Sequence, residues 1–405
     1  MRRRTLVMTA AAVALAAVAG HAPWAQAEEM PGVTKDEIKI GNTMPYSGPA
    51  SAYGVIGKTE TAFFKMINEQ GGVNGRKIDF VSHDDGYSPP KTVELTRQML
   101  EQDGVAFFFN GLGTPTNTAI EKYLNAHKVP QLFVATGADK WGEYKQFPWT
   151  IGYQPSYRVE ARIYAHYILQ AKPAAKIAIL YQNDDFGKDY VAGMKDVLAD
   201  KYAKMVTEAS YETSDATIDS QIVSLQASGA DTLLIAATPK FAAQAIRKVY
   251  DIGWKPLELV TNVSISVGAV MTPAGKEKGV GIITALYGKD PTDPEWKDDA
   301  GIKQWRQFMA KYMPDGDQTD ANTLYGYNVG LLMVHVLKQC GDDLSRANIM
   351  KQATNIKELE LPGLLPGIKV NTSPTNYHPI TQMQLAKWDG TTWVRFGNLI
   401  SGSGS

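Results

Sequence analysis

One cysteine, no excess of either charge sign and a single long apolar run set the first limits on this 405-residue chain. Cys340 has no partner in the chain, so no intramolecular disulfide can brace the fold and a core must hold it alone. Lys and Arg number 41 against 42 Asp and Glu, with no block of like charge, which removes the electrostatic footprint expected of a nucleic-acid-binding protein. With 44% hydrophobic residues the composition is that of a globular protein large enough for two domains, not of a disordered or collagenous one.

The apolar run, Leu6 to Ala19, is too short for a comfortable membrane span. It follows Arg2, Arg3 and Arg4 and precedes Ala25-Gln26-Ala27, the pattern of a secretory signal peptide over residues 1–27. Cleavage after Ala27 leaves a mildly acidic exported chain with no nearby cysteine to take a lipid. A free periplasmic protein is expected, in preference to an uncleaved anchor or release to the medium. Residues 401–405 alternate Ser and Gly and read as a flexible tail.

Catalytic signatures are also missing. There is no G-x-S-x-G and no Walker-type G-x-x-x-x-G-K-[ST], and Gly111-Leu112-Gly113 lacks the further glycine of a dinucleotide fingerprint. Of the six histidines, one lies in the signal and the others are scattered; His83-Asp84-Asp85 reads as a solvated turn, since three adjacent side chains do not converge on one ion. No enzyme activity, metal or cofactor is expected. Cys340, late in an apolar helix, reads as a buried small residue.

What is present is alternation. Short β-rich runs (Ile38-Lys39-Ile40, Ile78 to Val81, Ala106 to Phe109, Gln131 to Val134) alternate with helical patterns. One carries Ile56, Thr59, Phe63, Met66 and Ile67, a second opens at Pro89-Pro90, and a third runs from about Pro115 to His127. Parallel strands need helical crossovers, so this is one doubly wound α/β unit. After Thr150 the pattern restarts: helices near 157–171, 186–203 and 239–252 and one ending at Ala227, with strands near 176–180, 205–209, 232–236 and 257–260. The rest, an apolar run from Val280 to Leu286, helices around Trp305 and Tyr325 to Leu337, and β-like segments near Met383 to Ala386 and Trp393 to Phe396, is too little for a third core. It is expected to complete both units.

Ligands of open parallel sheets bind beyond the carboxyl ends of the strands. Three loops there are small, hydroxylated and uncharged or nearly so: Asn42 to Gly54, with Ser47 in its turn and Tyr53 at the entrance of a helix; Asn110 to Asn117, where Thr114 could cap a helix and Thr116 follows; and Ala135-Thr136-Gly137, directly after a strand. Together they suit a small anion held by hydroxyls and amides.

From about residue 35 to 396 the chain resembles the periplasmic solute-binding proteins of ABC importers, in the leucine/isoleucine/valine-binding branch of the type I periplasmic binding fold. The resemblance rests on Ser47-Gly48-Pro49 with Tyr53-Gly54, on Asn68 to Arg76, on His83-Asp84-Asp85 with Pro89 to Ala106, and on Tyr181 to Gly187. It implies two doubly wound parallel-sheet lobes joined by a three-strand hinge: lobe 1 from 28–150 plus about 286–372, lobe 2 from 151–285 plus about 373–400. It also implies a small ligand held between the lobes and an inner-membrane ABC permease as partner; a monomer is expected, since transport requires free hinge motion. Carried over by position, Tyr53 packs on the ligand's apolar part, and Thr114 with Ala135, Thr136 and Gly137 holds its carboxylate. Phe186 closes over it, Thr238 and the loop with Asn262 and Ser264 add polar contacts, and Tyr325 lines the pocket. Amino-acid-binding members place an acidic side chain after the strand ending at Val260; here the sequence is Thr261-Asn262-Val263-Ser264. An unpaired buried ammonium is costly, so the expected ligand is an organic acid with an apolar or aromatic body. Branched-chain amino acids remain the alternative if Asp184 or Asp185 accepts the amine. A sensor module, a binder of small amides or urea, and a periplasmic hydrolase are weaker readings.

Overall fold

A computed structural model describes residues 30–402. The expected signal peptide lies outside the described residues. Strands β1 (Glu37–Met44), β2 (Lys77–Asp84), β3 (Phe107–Phe109), β4 (Gln131–Val134) and β5 (Thr150–Gly152) form a parallel sheet in the order β2-β1-β3-β4-β5. Helices α1 (Gly54–Glu69), α2 (Pro89–Glu101) and α3 (Thr114–Ala126) are its crossovers. Phe107, Phe108 and Phe109 are all buried, as a central strand covered on both faces requires.

The second sheet begins after α4 (Tyr157–Ala171). It holds β6 (Ile177–Gln182), β7 (Val206–Tyr211), β8 (Thr232–Ala236), β9 (Leu257–Val260) and β10 (Ile283–Leu286), with α5 (Asp185–Leu198), a single turn α6 (Tyr202–Met205), α7 (Asp219–Ala227), α8 (Pro239–Asp251) and another short turn α9 (Thr272–Ala274) between them. After α10 (Ala300–Tyr312), α11 (Ala321–Cys340) and α12 (Arg346–Ala353), the chain returns as β11 (Gln382–Trp388), β12 (Trp393–Arg395) and β13 (Ile400–Ser401). The order is β12-β11-β10-β9-β8-β6-β7, with β13 also on β11. The last three strands pair antiparallel, so an otherwise parallel sheet has an antiparallel edge. Ser401 pairs with Gln382 and the Gly402 amide donates to the Thr381 carbonyl at 2.7 Å, so sheet pairing extends into residues whose composition reads as a loose tail.

The chain thus passes between the sheets three times, after β5, after β10 and before β11. The long helix α11 packs on α1, tying the late segment to the first sheet. Two glycines make that approach possible: a Cβ on Gly330 would lie 2.6 Å from the Phe63 ring, and one on Gly326 would lie 3.0 Å from Thr59. Phe63 in turn meets Phe64, Phe308 and Tyr327 edge-on at 5.6, 6.3 and 5.5 Å. This is a type I periplasmic binding protein fold, two α/β lobes each built on its own sheet.

Candidate functional site

The loops beyond the strand ends of both sheets face one another across a cavity of about 1040 Å³, counted out to its open mouth. From the first sheet come Tyr53 at the entrance of α1, Tyr87 after β2, Thr114 at the start of α3 and Ala135 after β4; from the second come Phe186 in the first turn of α5, Thr238 after β8 and Asn262 after β9. Tyr325 reaches in from α11. Apart from Tyr325, each side chain sits where a crossover leaves a sheet, the place where parallel architecture leaves a crevice.

Seven of the residues singled out in the sequence, Tyr53, Thr114, Ala135, Phe186, Thr238, Asn262 and Tyr325, therefore line one cavity. Five do not. Ser47 lies in an exposed turn, its amide donating to Asp84 Oδ1 at 3.1 Å. Thr116 is turned back into the helix start, donating to the Leu112 and Gly113 carbonyls. Thr136 stands behind Thr114, hydroxyl to hydroxyl at 2.5 Å. Gly137 is packed on the crossing segment, where its carbonyl accepts from the Tyr157 amide at 2.7 Å and a Cβ would lie 2.3 Å from the Pro155 carbonyl oxygen. Ser264 donates to the Ala237 carbonyl at 2.5 Å. Thr114 does not cap α3 either: it is the first helical residue, Gly113 holds the cap position at φ 100°, and the threonine hydroxyl serves the Thr136 pair.

The cavity also takes Tyr153, Gln154 and Tyr157 from the first crossing and Tyr287 to Asp290 from the second. Crossing segments have no periodicity of their own, so nothing local marks them. Tyr87 was within reach, since it follows β2 as the other lining residues follow their strands.

The cavity's two charged side chains both have partners, an opposite charge for Lys289 and neutral donors for Asp290. Lys289 Nζ lies 2.8 Å from Asp299 Oδ2 and 2.8 Å from the Pro362 carbonyl oxygen, 5.2 Å over the Trp296 ring. Asp290 accepts from the Thr292 amide and hydroxyl and from Thr392. The two acids considered as amine acceptors are otherwise engaged: Asp184 caps α5, taking the Phe186 and Gly187 amides on Oδ1 and Gln182 Nε2 at 2.6 Å on Oδ2, and Asp185 is exposed. Asp84 likewise accepts the Tyr46 and Ser47 amides of the loop after β1 and the Gly86 amide of its own loop, and Asp85 accepts the Tyr87 amide.

Polarity around the cavity is uneven. Burial pushes the Tyr53, Tyr87 and Tyr325 phenols well up, so they stay neutral donors. Tyr325 accepts from Asn110 Nδ2 at 3.1 Å and Tyr87 from Gln182 Nε2 at 3.3 Å, which leaves each phenol hydrogen for the cavity. The first turn of α3 adds amides without intrahelical acceptors and the positive end of a helix dipole. Tyr53 instead crosses the cleft, donating to the Val263 carbonyl at 2.9 Å. Aromatic rings close the rest: Tyr157 on Phe186 at 4.9 Å and Tyr153 on Tyr325 at 5.4 Å, both edge-on.

Comparison with known proteins agrees with this architecture. The family model described as periplasmic binding protein matches residues 37–392. The Leu/Ile/Val-binding protein homolog 1 of Brucella abortus is 24% identical over 357 residues, 86% of this chain and 88% of its own. A branched-chain amino acid ABC transporter protein of Thermus thermophilus with bound valine superposes with a TM-score of 0.80 at 14% identity, covering 91% of this chain and 97% of its own. A solute-binding protein of an R. palustris ABC transporter in complex with benzoate gives 0.74 at 19%, covering 90% and 98%.

Proposed function

Because the chain belongs to the periplasmic binding protein family, we propose that it is the solute-binding component of an ABC importer and that its solute is a small organic acid with an apolar or aromatic body. A benzoate-like or branched aliphatic carboxylate fits this description. The observation that carries the ligand class is the charge of the cavity: its walls present neutral donors and rings, and the single carboxylate among its lining residues, Asp290, already accepts three hydrogen bonds from Thr292 and Thr392 instead of standing free to pair with an amine. Burying an ammonium without such a partner costs several kcal/mol. A carboxylate finds phenol and threonine hydroxyls and the start of α3. The benzoate complex of the R. palustris protein is in keeping with this choice.

The function needs binding and no chemistry. A ligand that touches both lobes only when they are closed favours the closed form by its differential affinity, and that form is what a permease would receive. The test is thermal unfolding of the mature protein, first unfolded and refolded to remove carried ligand, against benzoate-type acids, branched aliphatic acids, branched-chain amino acids and small amides. A ligand at 100 times its Kd adds about 2.7 kcal/mol, so an acid without an amine should raise Tm by several degrees. Stabilisation by leucine, isoleucine or valine but by no simple acid would overturn the proposal.

A further inference from the structure

Glu160, in the first turn of α4, is fully buried one layer behind the cavity. Its Oε1 accepts the Tyr164 hydroxyl at 2.5 Å and the Asn262 amide at 2.8 Å; its Oε2 accepts the Tyr190 hydroxyl at 2.7 Å and the Asn262 side-chain nitrogen Nδ2. A carboxylate only accepts, so it dictates which way the Asn262 amide faces: nitrogen toward Glu160, carbonyl oxygen away from it. Placing a proton on Oε1 leaves this unchanged, because Tyr164 then passes its own hydrogen to the Val260 carbonyl at 2.8 Å and Oε2 still takes Nδ2. Asn262 lines the cavity and is 6% exposed, and among the described residues no donor reaches its Oδ1.

We infer that Glu160 is a positioning residue that turns Asn262 Oδ1 into an acceptor for the ligand, and that the solute is an acid carrying a neutral hydrogen-bond donor, a hydroxyl or an amide N–H, away from its carboxylate. The inference rests on the organic-acid reading above. Phenol hydrogens from Tyr87 and Tyr325 stand on the first-sheet side and an unused carbonyl oxygen stands after β9, so the cavity distinguishes the two ends of a ligand. A purely apolar end would leave Oδ1 desolvated and unpaired, which is where discrimination between otherwise identical acids comes from.

The experiment is calorimetric titration of the stripped full-length mature protein with matched pairs: benzoate against 3- and 4-hydroxybenzoate, and 3-methylbutanoate against its hydroxylated analogues. At least one hydroxylated member should bind about five- to tenfold tighter than its partner, the worth of one neutral hydrogen bond. In Asn262→Leu that ratio should collapse toward one. In Glu160→Gln it should also fall, because a glutamine amide can donate to Oδ1 and release the fixed orientation. A merely structural role for Glu160 would weaken both members of a pair together and leave the ratio intact. The comparison in the unmutated protein stands even if a variant does not fold. Equal affinities within every pair overturn this inference and leave the acid reading standing; binding of leucine with no acid of either kind overturns both.

Discussion

Burial lifts several carboxyl groups of the described residues above their ordinary range, Glu60, Asp85, Glu121, Asp184, Asp290 and Asp320 among them, and brings three more to neutrality or beyond. Burial is the main cause in each: Glu160 and Asp189 are pushed up to about 7 and Glu258 to about 8. Glu258 Oε2 has no hydrogen-bond partner. Each group holds its proton more tightly folded than unfolded, so each withdraws stability as pH rises from the ordinary carboxyl range through these values. His335 and His378, lowered by burial, act in the opposite sense, but only below the usual imidazole range. The clean window is therefore pH 6.5 to 8.5, over which Tm of the ligand-free protein should fall. Glu258→Gln should flatten part of that slope; a slope unchanged in this variant, followed by calorimetry at several pH values, would show that Glu258 ionises freely in the fold.

At the scale of elements, the junction of α1 with α11 decides how the late third of the chain joins the first sheet. Ile56, Phe63, Phe64 and Ile67 form the buried stripe of α1, and the glycines of α11 let the two backbones approach. Gly330→Ala introduces a methyl group 2.6 Å from the Phe63 ring. The gain in helix propensity is below ~1 kcal/mol, whereas overpacking of a filled core costs about 1–3 kcal/mol. The variant should be less stable by chemical denaturation, and the double variant with Phe63→Leu should recover part of the loss. Equal or greater stability in Gly330→Ala alone would mean that α11 shifts to make room.

At the scale of the molecule, the cleft is crossed by a few polar contacts: Tyr53 to the Val263 carbonyl, Gln182 to Tyr87 at 3.3 Å, and Ser266 to Asp320 Oδ1 at 2.7 Å. Such contacts exist only with the lobes together, so they and the ligand favour the same state. Tyr53→Phe removes one of them and should weaken ligand binding about three- to tenfold, the range of one neutral hydrogen bond. Small-angle scattering should show the stripped protein contracting on addition of a stabilising acid. No change in radius of gyration would indicate lobes that stay closed without ligand, and Tyr53→Phe would then alter stability more than affinity.

Local pattern alone determined most of the elements. The helix at Tyr157–Ala171 and the strands at Gln131–Val134, Thr232–Ala236 and Leu257–Val260 follow from apolar spacing and from turn residues at their ends. It also placed the loops after the strands at one cavity, because parallel topology leaves no other crevice. Beyond its reach were β5, three residues held by β4 without periodicity, and the two-turn α12. Tyr153, Gln154 and Tyr287 enter the cavity from crossing segments whose course only the packed lobes define. Asn262 was visible as a polar residue in the right loop, yet the atom it offers depends on Glu160, 102 positions away. Periodicity records which face of an element is buried; the direction of a hydrogen bond is decided by whatever partner the tertiary structure puts behind it.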